Sequence, residues 1–351
     1  MPRKRLSSPT LQTLVVLFLT GLLLWLFLRG SDIDSIRLAL ASADVGLVIL
    51  AVLATMMTYL IRALRWQVLL APLGHAGLGN CFITTVIGFM VNFLVPSGRV
   101  GEVARPYLLA RREELSASSA LATVLLERLL DLVTVTTLVG AWLLVSDLPT
   151  RNGEAMSGLS AGGALGLLAA LSMLSILFWS NRHPEASLGG ARRLLSVFPE
   201  SIRSPVLRFF ATFVSGLAVL MDAGRLVKAC AYSIALWLNI CLGFWLGSRA
   251  LSVEFEYFDT FPVIGFLTIG VAAPTPGGIG GYHYMCALAL SLLFGTDASV
   301  ARAVALVNHA IAFVPVTLLG IVFFTSGSGG GLSLHEVRTL KHSFENRRND
   351  N

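Results

Sequence analysis

Three arginines and three carboxylates stand where an apolar chain has little reason to carry any. Arg99, Glu102 and Arg105 lie in "NFLVPSGRVGEVARPY", residues 92–107, and Glu127, Arg128 and Asp131 lie in "LLERLLD", residues 125–131. A charge at the centre of a transmembrane helix costs roughly 2.5–3.5 kcal/mol on insertion scales, so six of them need mutual compensation. Glu102 and Arg105 share a helical face at i,i+3; Glu127 and Asp131 share one at i,i+4; Arg128 can pair locally with Asp131. Arg99 and Arg105 are then the cations for the remaining carboxylate. Such a network either pins one element to another or lets its arginines take an anionic headgroup. In the second case the carboxylates orient the arginines and could carry protons.

The backbone around the first triplet is also broken. Pro96 ends the incoming helix, Gly98 and Gly101 permit a turn, and a second helix can begin near Val100. Unpaired backbone at membrane depth is tolerated only inside protein or beside a water-filled cavity. A helix starting there points its positive end at the cavity and favours an anion. "AAPTPGGIGGYHYM", residues 272–285, is a second break, built by Pro274, Pro276, Gly277, Gly278, Gly280 and Gly281. It lacks the trailing Lys-Ser/Thr of a phosphate-binding P-loop. His283 is its only titratable acid or base near neutrality, either a satisfied structural histidine or a group that titrates or donates.

The elements that must position these residues are membrane helices. Of 351 residues 55% are hydrophobic and 13% charged, against about 25% charged in a soluble domain. Runs of about 20 apolar residues cross the hydrocarbon, and six qualify, near 11–29, 44–64, 117–146, 157–180, 226–249 and 299–325. The broken stretches, about 80–112 and 258–294, read as re-entrant helical hairpins. The expected fold is all-α and polytopic. One membrane domain spans residues 1–325, with a basic cytoplasmic segment at about 181–225 and a disordered tail at 326–351.

Charge sets the expected orientation. With a cytoplasmic N-terminus, only Arg29, Arg37, Arg151, Arg249 and Arg302 fall on the outer side and Arg128 within a span. This is a positive-inside arrangement with both termini cytoplasmic. It requires the hairpins to enter from opposite sides, and topology alone then suggests an inverted repeat with a substrate site between discontinuous helices. Topology also accounts for the net charge of +6 without nucleic acid. The segment from Arg182 to Arg225 is either an interfacial element touching anionic headgroups or a loop with one docking helix. The apolar run after "PRKR" is longer than a signal-peptide core and is kept as the first helix. Cys81, Cys230, Cys241 and Cys286 sit in apolar segments without metal-ligand spacing. Asn239, Asn308, His309 and Trp237 are expected to bond between helices. No hydrolase, metalloprotease or nucleotide-binding signature occurs, so no enzyme activity, metal or cofactor is expected.

The pattern N-x-x-x-P-x-x-R-x-G-E-x-x-R at Asn92, Pro96, Arg99, Gly101, Glu102 and Arg105, then E-R-x-x-D at Glu127, Arg128 and Asp131, then P-x-P-G-G-x-G at Pro274 to Gly280, resembles a known group. It is similar to the flippase-like family that shares the membrane region of bacterial lysylphosphatidylglycerol synthase/flippases. The likeness spans roughly residues 10–325. It implies a multi-pass inner-membrane protein that moves lipids, such as aminoacylated phospholipids or lipid-linked sugars, between leaflets. The family's cytoplasmic aminoacyl-transferase domain has no counterpart here, and many members carry a glutamate where this chain has His283. The resemblance adds Asn92, Thr275, Gly277, Gly278 and Gly280 to the candidate substrate-binding residues. It implies a membrane lipid as partner, alongside a lipid-modifying enzyme.

Overall fold

The computed structural model describes residues 18, 20–29, 32–95, 100–145, 153–273 and 275–326. It is helical throughout, with helices α1 (20–28), α2 (Ile33–Ala41), α3 (Val45–Leu70), α4 (Leu78–Leu94), α5 (Val100–Arg112) and α6 (Ala117–Val145) in the first half. The second half holds α7 (Gly153–Arg182), α8 (Pro184–Leu194), α9 (Glu200–Ser215), α10 (Ala223–Arg249), α11 (Thr260–Ala272), α12 (Gly281–Phe294) and α13 (Ala298–Thr325). Aspartates start the helices at matching places in the two halves. Asp44 caps α3 by accepting from the Leu47 amide at 3.0 Å, and Asp222 caps α10 by accepting from the Arg225 amide at 3.0 Å.

The order helix, short surface helix or helix pair, long helix, hairpin, long helix thus occurs twice, α1 being described only over 20–28. Hydrogen bonds show that the halves run in opposite senses. The Asp44 amide donates to the Ala250 carbonyl, Asn239 to the Ala54 carbonyl, and Arg65 to the Ser233 hydroxyl, so α3 and α10 lie antiparallel. At one end of the bundle Trp142 of α6 donates to Asp259 before α11, and Arg302 of α13 donates to the Phe27 carbonyl of α1. At the other end Ser119 of α6 donates to the Thr212 carbonyl of α9, and Glu113 accepts from Gly77 and Asn80. The α4–α5 hairpin therefore opens at one end and the α11–α12 hairpin at the opposite end. An apolar core cluster sits under each, one around Trp142, Phe261 and Leu290, the other around Trp66, Leu109 and Leu217.

Length explains why the hairpin arms turn back. At 1.5 Å per residue, the 17 and 13 residues of α4 and α5 reach about 25 and 20 Å, short of a hydrocarbon core of about 30 Å. In each hairpin the arms cross at a pair of glycines. A Cβ on Gly101 would lie 1.8 Å from the Gly88 carbonyl oxygen, and one on Gly281 would lie 2.2 Å from that of Gly270. Asn92 clips the first hairpin by accepting from the Gly101 amide at 2.7 Å.

Among the described residues, seven helical stretches are long and apolar enough to cross a membrane. Two of them, Glu200–Met221 and Pro276–Phe294, are composites. The former joins α9 to a 3-10 turn past a break, and the latter joins α12 to a turn whose Gly277 has φ 58°. The structure also lengthens one expected span. The helix read as ending near residue 64 continues through Trp66 to Leu70, which draws Arg62 and Arg65 inward. The expected tail from residue 327 onward lies outside the described residues.

Candidate functional site

The α3, α5, α6 and α10 helices converge on one buried ionic cluster. Glu127 and Asp131 project from the same face of α6, one turn apart, as their spacing predicts. Arg105 of α5 reaches Glu127 Oε2 at 2.5 Å. Arg65 of α3 binds Asp131 Oδ1 at 2.6 Å and the Ser233 hydroxyl at 2.9 Å, and its Nε lies 3.6 Å from Glu127 Oε1. Trp237 of α10 donates to Asp131 Oδ1 at 3.1 Å. Arg65 and Glu127 are fully enclosed, each 0% exposed.

Aromatic faces complete the enclosure. The Arg105 guanidinium carbon sits 3.8 Å from the ring centre of Trp66, whose indole N–H is fixed by Thr123 at 2.9 Å. Toward the open flank, Arg128 lies 3.5 Å from Asp131 Oδ2 and 3.9 Å from Glu102 Oε1. The Arg128 and Glu102 side chains keep 27% and 25% of their surface exposed, so the cluster is approached past this pair.

Arg62 completes the cluster and is the least satisfied member. Its Nη1 comes no nearer than 3.8 Å to Asp131 Oδ2, and its guanidinium rests 5.1 Å from the Phe89 ring centre. Only 7% exposed, it has among the described residues no hydrogen-bond partner at Nε or Nη1. Among the described residues, four arginines (62, 65, 105 and 128) thus face three carboxylates (102, 127 and 131). With all seven ionised the cluster has a surplus cation, and an unpaired buried charge is costly. An anion is the species that would relieve it.

The tip of the second hairpin forms a separate, uncharged cluster. His309 of α13 lies 3.0 Å from the Gly277 carbonyl, and the Gly280 amide donates to His283 Nδ1 at 3.3 Å. Gly277 lies against Phe93 of α4 and Phe313 of α13, where an added Cβ would meet the two rings at 3.3 and 3.4 Å. Gly278 and Gly280 adopt φ of 72° and 85°, conformations in which glycine avoids the strain of a side chain. Thr275, at the start of the turn, is buried with an unpartnered hydroxyl.

Of the residues singled out from sequence, Glu102, Arg105, Glu127, Arg128 and Asp131 come together, and Asn92 holds the hairpin that carries two of them. Arg99 lies outside the described residues, as do Pro96 and Pro274. Thr275, Gly277, Gly278, Gly280 and His283 gather at the second tip, away from the ion pairs. Arg62 and Arg65 were missed, as were the Trp66 and Ser233 contacts. The available signal was the i,i+3 spacing of two arginines inside "YLIRALRWQVLL", which continues helical to Leu70.

The geometry defines a multi-pass, all-α membrane protein with two opposed helical hairpins and a charged site beside one of them. The chain belongs to the family described as the lysylphosphatidylglycerol synthase TM region, whose model matches residues 12–320. It is 25% identical to a UPF0104 membrane protein of Pyrococcus horikoshii, over 88% of this chain and 94% of the relative. A UPF0104 membrane protein of Methanocaldococcus jannaschii is 23% identical over 88% and 93%. Glycosyltransferase AglD of Haloferax volcanii is 24% identical over 93% of this chain, which spans 57% of that larger protein.

Proposed function

We propose that this chain moves an anionic lipid between the leaflets of the inner membrane, with both termini in the cytoplasm. The headgroup is that of a phospholipid or a polyprenyl-phosphate glycolipid, and its tails stay in the bilayer. The observation that carries this reading is Arg62, a buried guanidinium that among the described residues has no hydrogen-bond partner at Nε or Nη1, in a cluster of four described arginines and three carboxylates. A phosphate entering past Arg128 and Glu102 pairs with Arg62 and leaves the Arg65–Asp131 and Arg105–Glu127 pairs intact. Opposed hairpins in antiparallel halves suit alternating exposure of one site to two sides. The likeness to a relative named as a glycosyltransferase supports a lipid-linked sugar among the candidate cargoes.

Reconstitution into liposomes with labelled anionic lipids tests this. Wild type should speed the movement of at least one anionic lipid, and Arg62→Gln should abolish the gain while remaining folded. Equal movement by both proteins would remove Arg62 from the site. A second reading, a non-transporting membrane partner of a lipid-modifying enzyme, is favoured by the way the match to AglD fills only part of that protein. Stable co-purification with such an enzyme, and no lipid movement alone, would support it.

A further inference from the structure

The ionic cluster is joined to the second hairpin by a column of rings. From Phe89, against Arg62, the ring centres of Phe93, Phe313 and His309 follow at steps of 6.2, 5.1 and 5.7 Å, and His283 lies 4.5 Å beyond. Phe27 of α1 and Tyr282 close over the two imidazoles at 5.2 and 5.1 Å. This is the seam between the hairpins, because the carbonyl that His309 binds belongs to Gly277, the residue packed on Phe93.

The hydrogen bonds define the protonation of both rings. A carbonyl oxygen only accepts, so His309 Nε2 carries a hydrogen, and in the neutral ring Nδ1 then holds the lone pair. The Gly280 amide donates to His283 Nδ1, so the hydrogen of that ring sits on Nε2. The Gly280 bond requires a neutral His283, and the neutral form of His309 has its one N–H on Nε2. A further proton finds a ready acceptor in His309 Nδ1, whereas on His283 Nδ1 it would displace the Gly280 bond.

We infer that the His283–His309 pair is a binding site for a single proton, taken up at His309 Nδ1, and that uptake favours parting of the second hairpin tip from α4. Like charge 4.5 Å away excludes a second proton. The titratable and charged groups around the pair are Tyr282, Cys286 one turn further along α12, and Arg302 behind the Phe27 carbonyl. None is an anion, and among the described residues no ion pair joins either ring. An imidazolium held there has only the Gly277 carbonyl and ring faces for company, and water reaching it when the tip leaves Phe93 relieves the charge. The role of the proton as driving ion rests on the transport reading above, whereas the site and its opening do not.

Proton uptake by the purified full-length protein, followed from pH 8 to about pH 4, tests the site. His309→Gln keeps a donor for Gly277 and should take up about one proton fewer per chain than wild type, while His283→Gln should match wild type. Loss of one proton in each variant would mean two independent sites, and loss in neither would mean none; both results overturn the inference. Hydrogen exchange at the Gly278 and Gly280 amides, corrected for the intrinsic effect of pH, tests the opening. It should rise in wild type by up to about ten-fold per unit of acidification and stay flat in His309→Gln. A flat wild-type profile overturns the opening. If His309→Gln does not fold, nitrogen NMR of His283 and His309 in the wild-type protein decides instead, with one of these two imidazoles gaining a proton expected and neither or both refuting the site. A protein that binds the proton but moves no lipid would refute the transport reading alone.

Discussion

Arg65 Nη1 on α3 lies 2.6 Å from Asp131 Oδ1 on α6, and this pair ties the long helix before the first hairpin to the long helix after it. Both side chains are buried, so removing Arg65 takes from Asp131 its shortest ion pair and from Glu127 a neighbouring cation. Arg65→Leu should destabilise the protein by about 3–5 kcal/mol, read as a fall in apparent Tm and in yield from the membrane. Arg65→Lys should not rescue it, because a compact ammonium on a flexible stem lacks the guanidinium's planar fork of donors across Asp131, Ser233 and Glu127.

Arg62, three residues earlier on the same helix, should behave in the opposite way. It has no hydrogen-bond partner at Nε or Nη1 and stands among other cations. Arg62→Gln should leave the apparent Tm near that of wild type while weakening retention of anionic lipid, measured by quantifying lipid that co-purifies. A large fall in Tm would assign Arg62 to holding the fold.

The glycine crossings should tolerate no side chain. Gly101→Ala places a methyl against backbone at 1.8 Å, which no rotamer change relieves, whereas nothing lies within 4 Å of a Cβ on Gly140. Gly101→Ala should fail to accumulate as folded protein, and Gly140→Ala should resemble wild type, or gain slightly from helix propensity. Fluorescent size-exclusion profiles of the two variants check this.

The opposed hairpins predict labelling from opposite sides. Ser116 follows the first hairpin and Ala298 follows the second, and both are exposed. Ser116→Cys should react with an impermeant maleimide only from the cytoplasmic face and Ala298→Cys only from the outer face. Cys81, Cys241 and Cys286 are buried and should stay unreactive. Labelling of both positions from one side would refute the topology.

Much of this arrangement was legible in the sequence, for identifiable reasons. Glu127, Arg128 and Asp131 were readable because a charge in the middle of a long apolar run cannot escape to water, and helical spacing dictates which charges share a face. Pro96, Gly98 and Gly101 announced a break. Arg62 and Arg65 were hidden because a polar pair near a helix end reads as a flank in contact with water, and only packing shows that "WQVLL" continues the buried helix. The repeat was visible as a sequence of lengths and breaks but not as residue identity. Its halves keep the glycine crossings and the capping aspartates, yet one places ions at its hairpin and the other imidazoles.

That repeat has a consequence for how the chain settles in a bilayer. Two halves of opposite sense make a body that looks much the same from either leaflet, so its shape alone gives an inserting chain little reason to choose one way up. The choice falls to the connectors. Around α2 the described chain carries Asp32 and Asp34 beside Arg37, while its counterparts α8 and α9 carry Arg192, Arg193, Arg203 and Arg208. On the positive-inside rule these arginines favour the cytoplasmic side, and exchanging charge between those two connectors should turn the molecule over without redesigning its interior.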